Sequence, residues 1–315
     1  MGGPARGSST DHGAAAMKYR SWRLDIETRD RLLSIGFPIL LLILWEMAVR
    51  WEWMDARFFP APSTVAVALW SLVANGELLG PFWVLPARVR NGDWAGVLKV
   101  FEEGHVWVSL FRIFAGFIAG AIPGIVLGVV MGMNRTIRVA LDPVLSAVYV
   151  LPKIAILPLV MLVFGIGELS KVVIVGIASF FLVLINTTAG VRDIEPIFFE
   201  AGHNYGANRR QMFFHVIIPG ALPIIFAGLR LSLGTALIVI IAAEFVAAKY
   251  GLGYLIWFSW QTLLTENMFA GLVIIMVLGA LFTSGLQAIE KWLMPWQREE
   301  RPAPVDASDT GSTKK

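Results

Sequence analysis

"EAGHNYGANRRQMFFHVIIPGALP", Glu200 to Pro223, stands between long apolar runs and looks like neither of them. It carries one carboxylate, three amide side chains, two histidines, two arginines, three glycines and two prolines. The reading of this interruption depends on what surrounds it.

The surroundings are those of a membrane protein. The 315 residues are 57% hydrophobic and 16% charged, against about 25% charged in an ordinary soluble domain. The mean hydropathy of +0.68 agrees. Twelve Trp and twenty Phe suit a chain that meets both acyl tails and headgroups. With no Cys, disulfides and thiolate metal sites are excluded. Six segments are long enough to cross a bilayer core, which takes roughly 20 apolar residues. They are Leu32–Val49, Ile113–Met133, Pro143–Ile166, Val172–Val191, Ala221–Ala248 and Met268–Ile289. Helices are expected, since an open strand edge cannot satisfy its backbone in lipid. The fold class is therefore all-α integral membrane protein, with the quoted stretch between the fourth and fifth helices.

Lys and Arg set the orientation. With the N-terminus inside, the inner segments hold 16 and the outer ones eight, six of which lie in the long 50–112 connection. The expectation is N-in and C-in, with Glu200–Pro223 in the cytoplasm. Residues 1–31 read as a polar, basic, partly disordered cytoplasmic segment, 32–292 as the membrane domain and 293–315 as a disordered cytoplasmic tail. The apolar run after residue 31 exceeds a signal-peptide core and reads as an uncleaved first helix. In the 51–112 connection, "FFPAPSTV" is a turn and a helix start with Ser63 as the expected N-cap. The aromatic and charged residues after it suit interfacial helices on the outer face.

Several residues are candidates for function. Gly116, Gly120, Gly124, Gly128 and Gly132 recur every fourth residue in the second helix, a spacing that lets helix backbones meet closely. Such a seam either packs statically or slides. The third helix contains Pro143, Pro152 and Pro158, so it should bend or break. Lys153 falls in it; an intramembrane cation either faces a water-filled path, where it attracts an anion, or snorkels or pairs with a freed carbonyl. Asn186, with Thr187 and Thr188, offers polar groups for a pore or for bonds between helices. Arg230 and Glu244 lie near the two ends of the fifth helix and are expected to snorkel; Glu244 is also a candidate for the pathway, at an outer gate. No phosphate-binding loop, dinucleotide fingerprint or His-Glu-x-x-His motif occurs, and the four His form no metal constellation. Neither catalysis nor a metal is expected of this chain, and nothing in it binds nucleic acid by motif.

Within the interruption, Pro196 starts a short helix that Gly206 ends. A second spans about Asn208 to Ile217, before Pro219 and Pro223 interrupt the chain. Two short amphipathic helices across one face suit docking into a partner's groove; packing on the chain's own helices is the alternative. The spacing resembles the "EAA" loop of binding-protein-dependent ABC importer permeases. That motif has Glu-Ala-Ala, then Gly six residues after the Glu, then Ile-x-Leu-Pro; here stand Glu200-Ala201-Gly202, Gly206 and Val216-x-Ile218-Pro219. Gly202 departs from Ala and lowers helix propensity, which should shorten the first helix. "FFPAPSTV", "SLFRIFAGFIAGAIPGIVLGVVMGMNR", "LDPVLSAVYVLPKIAILPLVMLVFGIGELSK" and "AGVRDIEP" resemble the nitrate/sulfonate/taurine/bicarbonate-type branch, relative to which 81–104 looks like an insertion.

The resemblance implies a multi-pass permease of the bacterial cytoplasmic membrane. A second permease copy would complete the pore, and cytoplasmic ABC ATPase subunits would bind ATP and Mg. A periplasmic or lipid-anchored binding protein would deliver a small anionic nutrient. The loop from Glu200 to Pro219 would couple ATPase closure to transport, with Arg209 and Arg210 adding charge complementarity. An ion-coupled secondary transporter is the main alternative; it would show coupling-ion sites and often an internal repeat. A membrane-embedded enzyme would need clustered ionisable groups that the spans lack.

Overall fold

The structure, a computed structural model, describes residues 11–80 and 84–296. All regular elements among them are helical. The terminal stretches 1–10 and 297–315, and residues 81–83 of the insertion, lie outside the described residues. Five helices are long and apolar enough to span a membrane, and a bent pair makes a sixth.

Helix α1 (Asp11–Arg50) contributes its Arg29–Arg50 part as a peripheral span. At its end Glu46 bonds Arg50 and reaches the next helix, α2 (Pro62–Ala74), accepting from the Ser63 amide at 3.0 Å and the Ser63 hydroxyl at 2.8 Å. Ser63 is thus not the N-cap. Pro62, whose fixed φ suits a first turn, starts the helix with Ala61 before it, and the free Ser63 amide finds its acceptor on another helix. Two short helices, α3 (Leu85–Arg90) and α4 (Trp94–Glu103), follow.

The centre of the molecule is α5 (His105–Met133), α8 (Glu168–Arg192) and α11 (Ile218–Ala247). Helices α5 and α8 run parallel, the glycines of α5 against the backbone and Cβ atoms of α8. A Cβ added at Gly116, Gly120, Gly124, Gly128 or Gly132 would come within 2.9 Å of α8, and at Gly120 within 2.1 Å of the Gly176 carbonyl. Helix α11 runs antiparallel to α8, with Gly190 against Ile224 and Gly228 against Asn186. Ile113, Ile174, Val175, Ala236 and Ile240 fill the space between them. Helix α5 starts eight residues before the charge-free run at Ile113, and α8 takes in Glu168 and Lys171, both expected in a loop. These charges enter the helices because they find partners there.

Between α5 and α8, α6 (Arg135–Val150) and α7 (Lys153–Phe164) are bent by 97°. The break comes at Leu151–Pro152. Pro152 has no N–H to give and forces the residue before it out of the helical region; Leu151 has φ −60° and ψ 129°. Pro143 and Pro158 stay inside their helices. After α11 come α12 (Leu252–Gln261) and α13 (Thr265–Leu293), which pack on α2 through Val65, Leu72, Leu255 and Ala270.

Candidate functional site

The polar interruption is a largely exposed platform of short helices. Helix α9 (Pro196–Asn204) opens on Pro196 and stops before Gly206, whose φ of +73° favours a residue without a side chain. Asn208 and Gln211 then form a reciprocal cap: the Gln211 amide donates to Asn208 Oδ1 and the Asn208 amide to Gln211 Oε1, each at 2.9 Å. They start α10 (Arg209–Met212). The second helix does not end at Pro219. A π-helical turn, Phe213–Ile217, carries α10 into α11, so Arg209–Ala247 is one unbroken span. Pro219 lies in the first turn of α11, and the wider turn before it accommodates the missing donor.

One side of the platform is buried. Ile194, Met212, Ile217 and Ala221 pack with Val129 of α5 and Val191 of α8. Gly202 sits where α9 crosses Met212; a Cβ there would fall 2.6 Å from the Met212 methyl. Helix α9 runs two residues past Gly202, to Asn204. The other side is bare: Ile197, Phe198, Phe214 and Tyr205, the last 92% exposed, stand beside exposed Glu200, Ala201, Arg209 and Arg210. Arg210 lies over the Phe214 ring at 5.9 Å. Val216 and Ile218 are half-buried under this surface.

At the far end of the same helices lies a buried polar cluster. Arg112 of α5 donates to Glu168 of α8 through Nε (2.5 Å) and Nη2 (2.6 Å). Its Nη1 donates to Glu244 of α11 (2.6 Å) and to the Tyr250 carbonyl (2.8 Å). Glu244 also accepts from Ser109 Oγ (2.8 Å) and the Gly253 amide (2.8 Å). The Leu252 amide donates to Ser109 Oγ, and the Gly251 amide to His105 Nδ1. Gly251, with φ +126°, and Gly253 let the backbone approach the Glu244 carboxylate; a Cβ at Gly251 would be 2.5 Å from it. Lys171 is buried next to this cluster, 3.5 Å from Glu168. Arg112 and Glu244 are 2% and 0% exposed at the side chain, Glu168 57%.

Glu244 therefore does not snorkel. Arg230 is half-buried and paired with Glu290 of α13. Lys153 begins α7 just past the bend, donates to the Tyr149 carbonyl and lies 4.4 Å over the Tyr149 ring. Asn186 donates to the Leu182 carbonyl and packs on Gly228. The three pathway candidates occupy three separate places. Sequence reading missed Arg112, Ser109, Glu168 and Lys171. One signal was present: counting back four residues from Gly116 lands on Arg112, on the same face of α5.

The profile of the family described as "Binding-protein-dependent transport system inner membrane component" matches residues 124–295. The chain belongs to this family. It is similar to the taurine transport system permease protein TauC of Escherichia coli K12, 33% identical over 88% of this chain and 94% of that protein. The putative aliphatic sulfonates transport permease protein SsuC of the same organism is 34% identical over 82% of this chain and 89% of its own length. The nitrate import permease protein NrtB of a Synechocystis strain is 26% identical over 75% and 88%. Among solved structures, the inward-facing MetNI methionine ABC transporter aligns with a TM-score of 0.54 over 60% of this chain and 94% of that one. At 20% identity that likeness shows the fold. This permease is a multi-pass membrane component of an ABC importer rather than an enzyme, and the secondary-transporter reading is set aside.

Proposed function

We propose that the permease forms, as two copies, the pathway of an ATP-driven importer for a small oxyanion nutrient of the sulfonate, taurine, nitrate or bicarbonate kind. It does so in a bacterial cytoplasmic membrane with both termini inside. Two cytoplasmic ATPase subunits carry ATP and Mg and grip the loop from Glu200 to Pro219; a solute-binding protein delivers substrate to the far end. The observation that carries this reading is the two-sided loop. Met212 and Ile217 weld its inner side to the bundle, while Ile197, Phe198, Tyr205 and Phe214 face outward with Glu200, Arg209 and Arg210. A bare apolar surface ringed by charges suits a helix-in-groove contact. The substrate class follows the names of the relatives, and Lys153 at the bend provides a cation for an anion's passage.

The test is co-purification with the ATPase encoded beside this gene. Wild type should retain the ATPase in detergent and Glu200→Arg should lose it. Equal retention by both would remove Glu200 from the contact. In reconstituted vesicles with the binding protein, uptake of radiolabelled taurine, an alkanesulfonate or nitrate should need ATP and survive an uncoupler. Lys153→Met with unchanged uptake would take Lys153 off the pathway.

A further inference from the structure

A buried ion pair adds little net stability, because desolvation offsets most of the attraction. An ionisable group inside a membrane bundle therefore calls for a role beyond folding. The Arg112 cluster joins four elements at one point: α5 through Ser109 and Arg112, α8 through Glu168, α11 through Glu244, and the α11–α12 turn through Tyr250 to Gly253. The coupling loop, at the opposite end, is joined to two of them, α8 and α11.

Between the two ends the contacts are close apolar packing. The α5–α8 seam seats Val175, Thr187 and Val191 against Gly116, Gly128 and Gly132 and brings backbone against Gly120 and Gly124, and its hydrogen bond between the ends is Thr188 to the Gly128 carbonyl at 3.3 Å. The α8–α11 contact has a similar weak bond, Ser232 to the Ser179 carbonyl at 3.4 Å. Such seams are held by close packing, with few directional bonds along their length. At the loop end the packing is apolar and non-directional. The directional contact is at the far end, where a planar guanidinium holds two carboxylates and a carbonyl in fixed directions. Immediately beyond it, Gly165 (φ +83°) and Gly167 have no atom within 4 Å of an added Cβ, so the chain leaves the cluster loosely towards α7. Helix α6 buries no residue and α7 two, Leu157 and Val160.

We propose that Arg112 is the positioning residue that locks α5, α8, α11 and the α11–α12 turn into one lever, so that a displacement imposed at the Glu200–Pro219 loop arrives undiminished at the far end. This rests on the reading of that loop as the ATPase contact. Lysine in place of Arg112 keeps the charge but loses the three-way fork, so it separates geometry from charge.

The chain has no Cys, so single labels are clean. Spin labels at Asn204→Cys (loop end) and Lys249→Cys (far end), both exposed positions, report the distance between two copies in the assembled transporter. Distances are measured nucleotide-free and trapped with ATP and vanadate. In the wild type both distances should change. In Arg112→Lys and in Glu168→Gln the loop-end change should persist and the far-end change should be lost or at least halved, while substrate moved per ATP falls about tenfold or more. Should Arg112→Lys fail to assemble, Glu168→Gln decides, since that carboxylate is half-exposed. Wild-type far-end changes in the variants that assemble, or failure of both to assemble, overturns the lever. An unchanged loop-end distance in the wild type would instead overturn the reading of the loop.

Discussion

At one end of the α5–α8–α11 core, Arg112 and Glu244 are sealed from solvent and matched by partners on every side; at the other, Glu200, Arg209 and Arg210 lie open beside bare aromatic side chains. Both ends depart from the apolar pattern of the helices between them. The buried end has its polar groups satisfied within the chain, so changing it should act first on the fold. The open end has apolar surface that water does not favour, so changing it should act first on association.

The contrast is most exposed to attack at Glu244. Glu244→Leu takes one of its two carboxylates from buried Arg112 and removes the acceptor of the Gly253 amide; it should destabilise the permease by about 3–5 kcal/mol, read as a large fall in unfolding temperature in detergent. Adding Arg112→Met should recover part of that loss, because an apolar pair avoids the desolvation penalty; no recovery would mean the pair is not the source of the damage. Next comes the seam. Gly120→Leu puts side-chain atoms where the Gly176 carbonyl stands and should cost about 1–3 kcal/mol or more, with loss of the single peak in size-exclusion chromatography. At the loop, Gly206→Val is forced into a left-handed backbone at about 1–2 kcal/mol; limited proteolysis should then cut between α9 and α10. Gly202→Ala should raise the unfolding temperature slightly, as helical alanine is better by about 0.5–1 kcal/mol and the Met212 terminus can shift. Tyr205→Ala should not move it at all, yet it should release the ATPase during purification. A Tyr205 variant that unfolds early, or a Glu244 variant that stays stable, would erase the distinction between the ends.

The loop was readable in the sequence because its signals are local. Pro196, Gly206 and the Asn208–Gln211 pair each act on the backbone within a few residues. The far-end cluster was not, because the span limits were drawn where charge begins. That rule places Arg112 and Lys171 in loops, although a charge with partners on other helices belongs inside. The partners of Arg112 lie 56 and 132 positions away, and no local pattern announces them. Ser63 failed for the same reason: its acceptor, Glu46, sits on another helix. Pro219 misled in a different way. The wide turn before it takes up the missing donor, and the helix runs on through it.

That wider turn has a consequence for anyone who builds hybrids of such proteins. Successive residues on an α-helix are turned by about 100° from one another, and a π turn absorbs one extra residue without breaking the rod. Phe213–Ile217 thus acts as a phase setting between Arg210 and the membrane-crossing part of α11. Deleting one residue there would restore ordinary winding and leave Arg209 and Arg210 near their present bearing, whereas rewinding all five residues as α-helix would swing them about a quarter to a third of a revolution around the rod. A loop transplanted between permeases would need its extra residue and the wide turn that takes it up to travel together, or it would arrive intact and facing the wrong way.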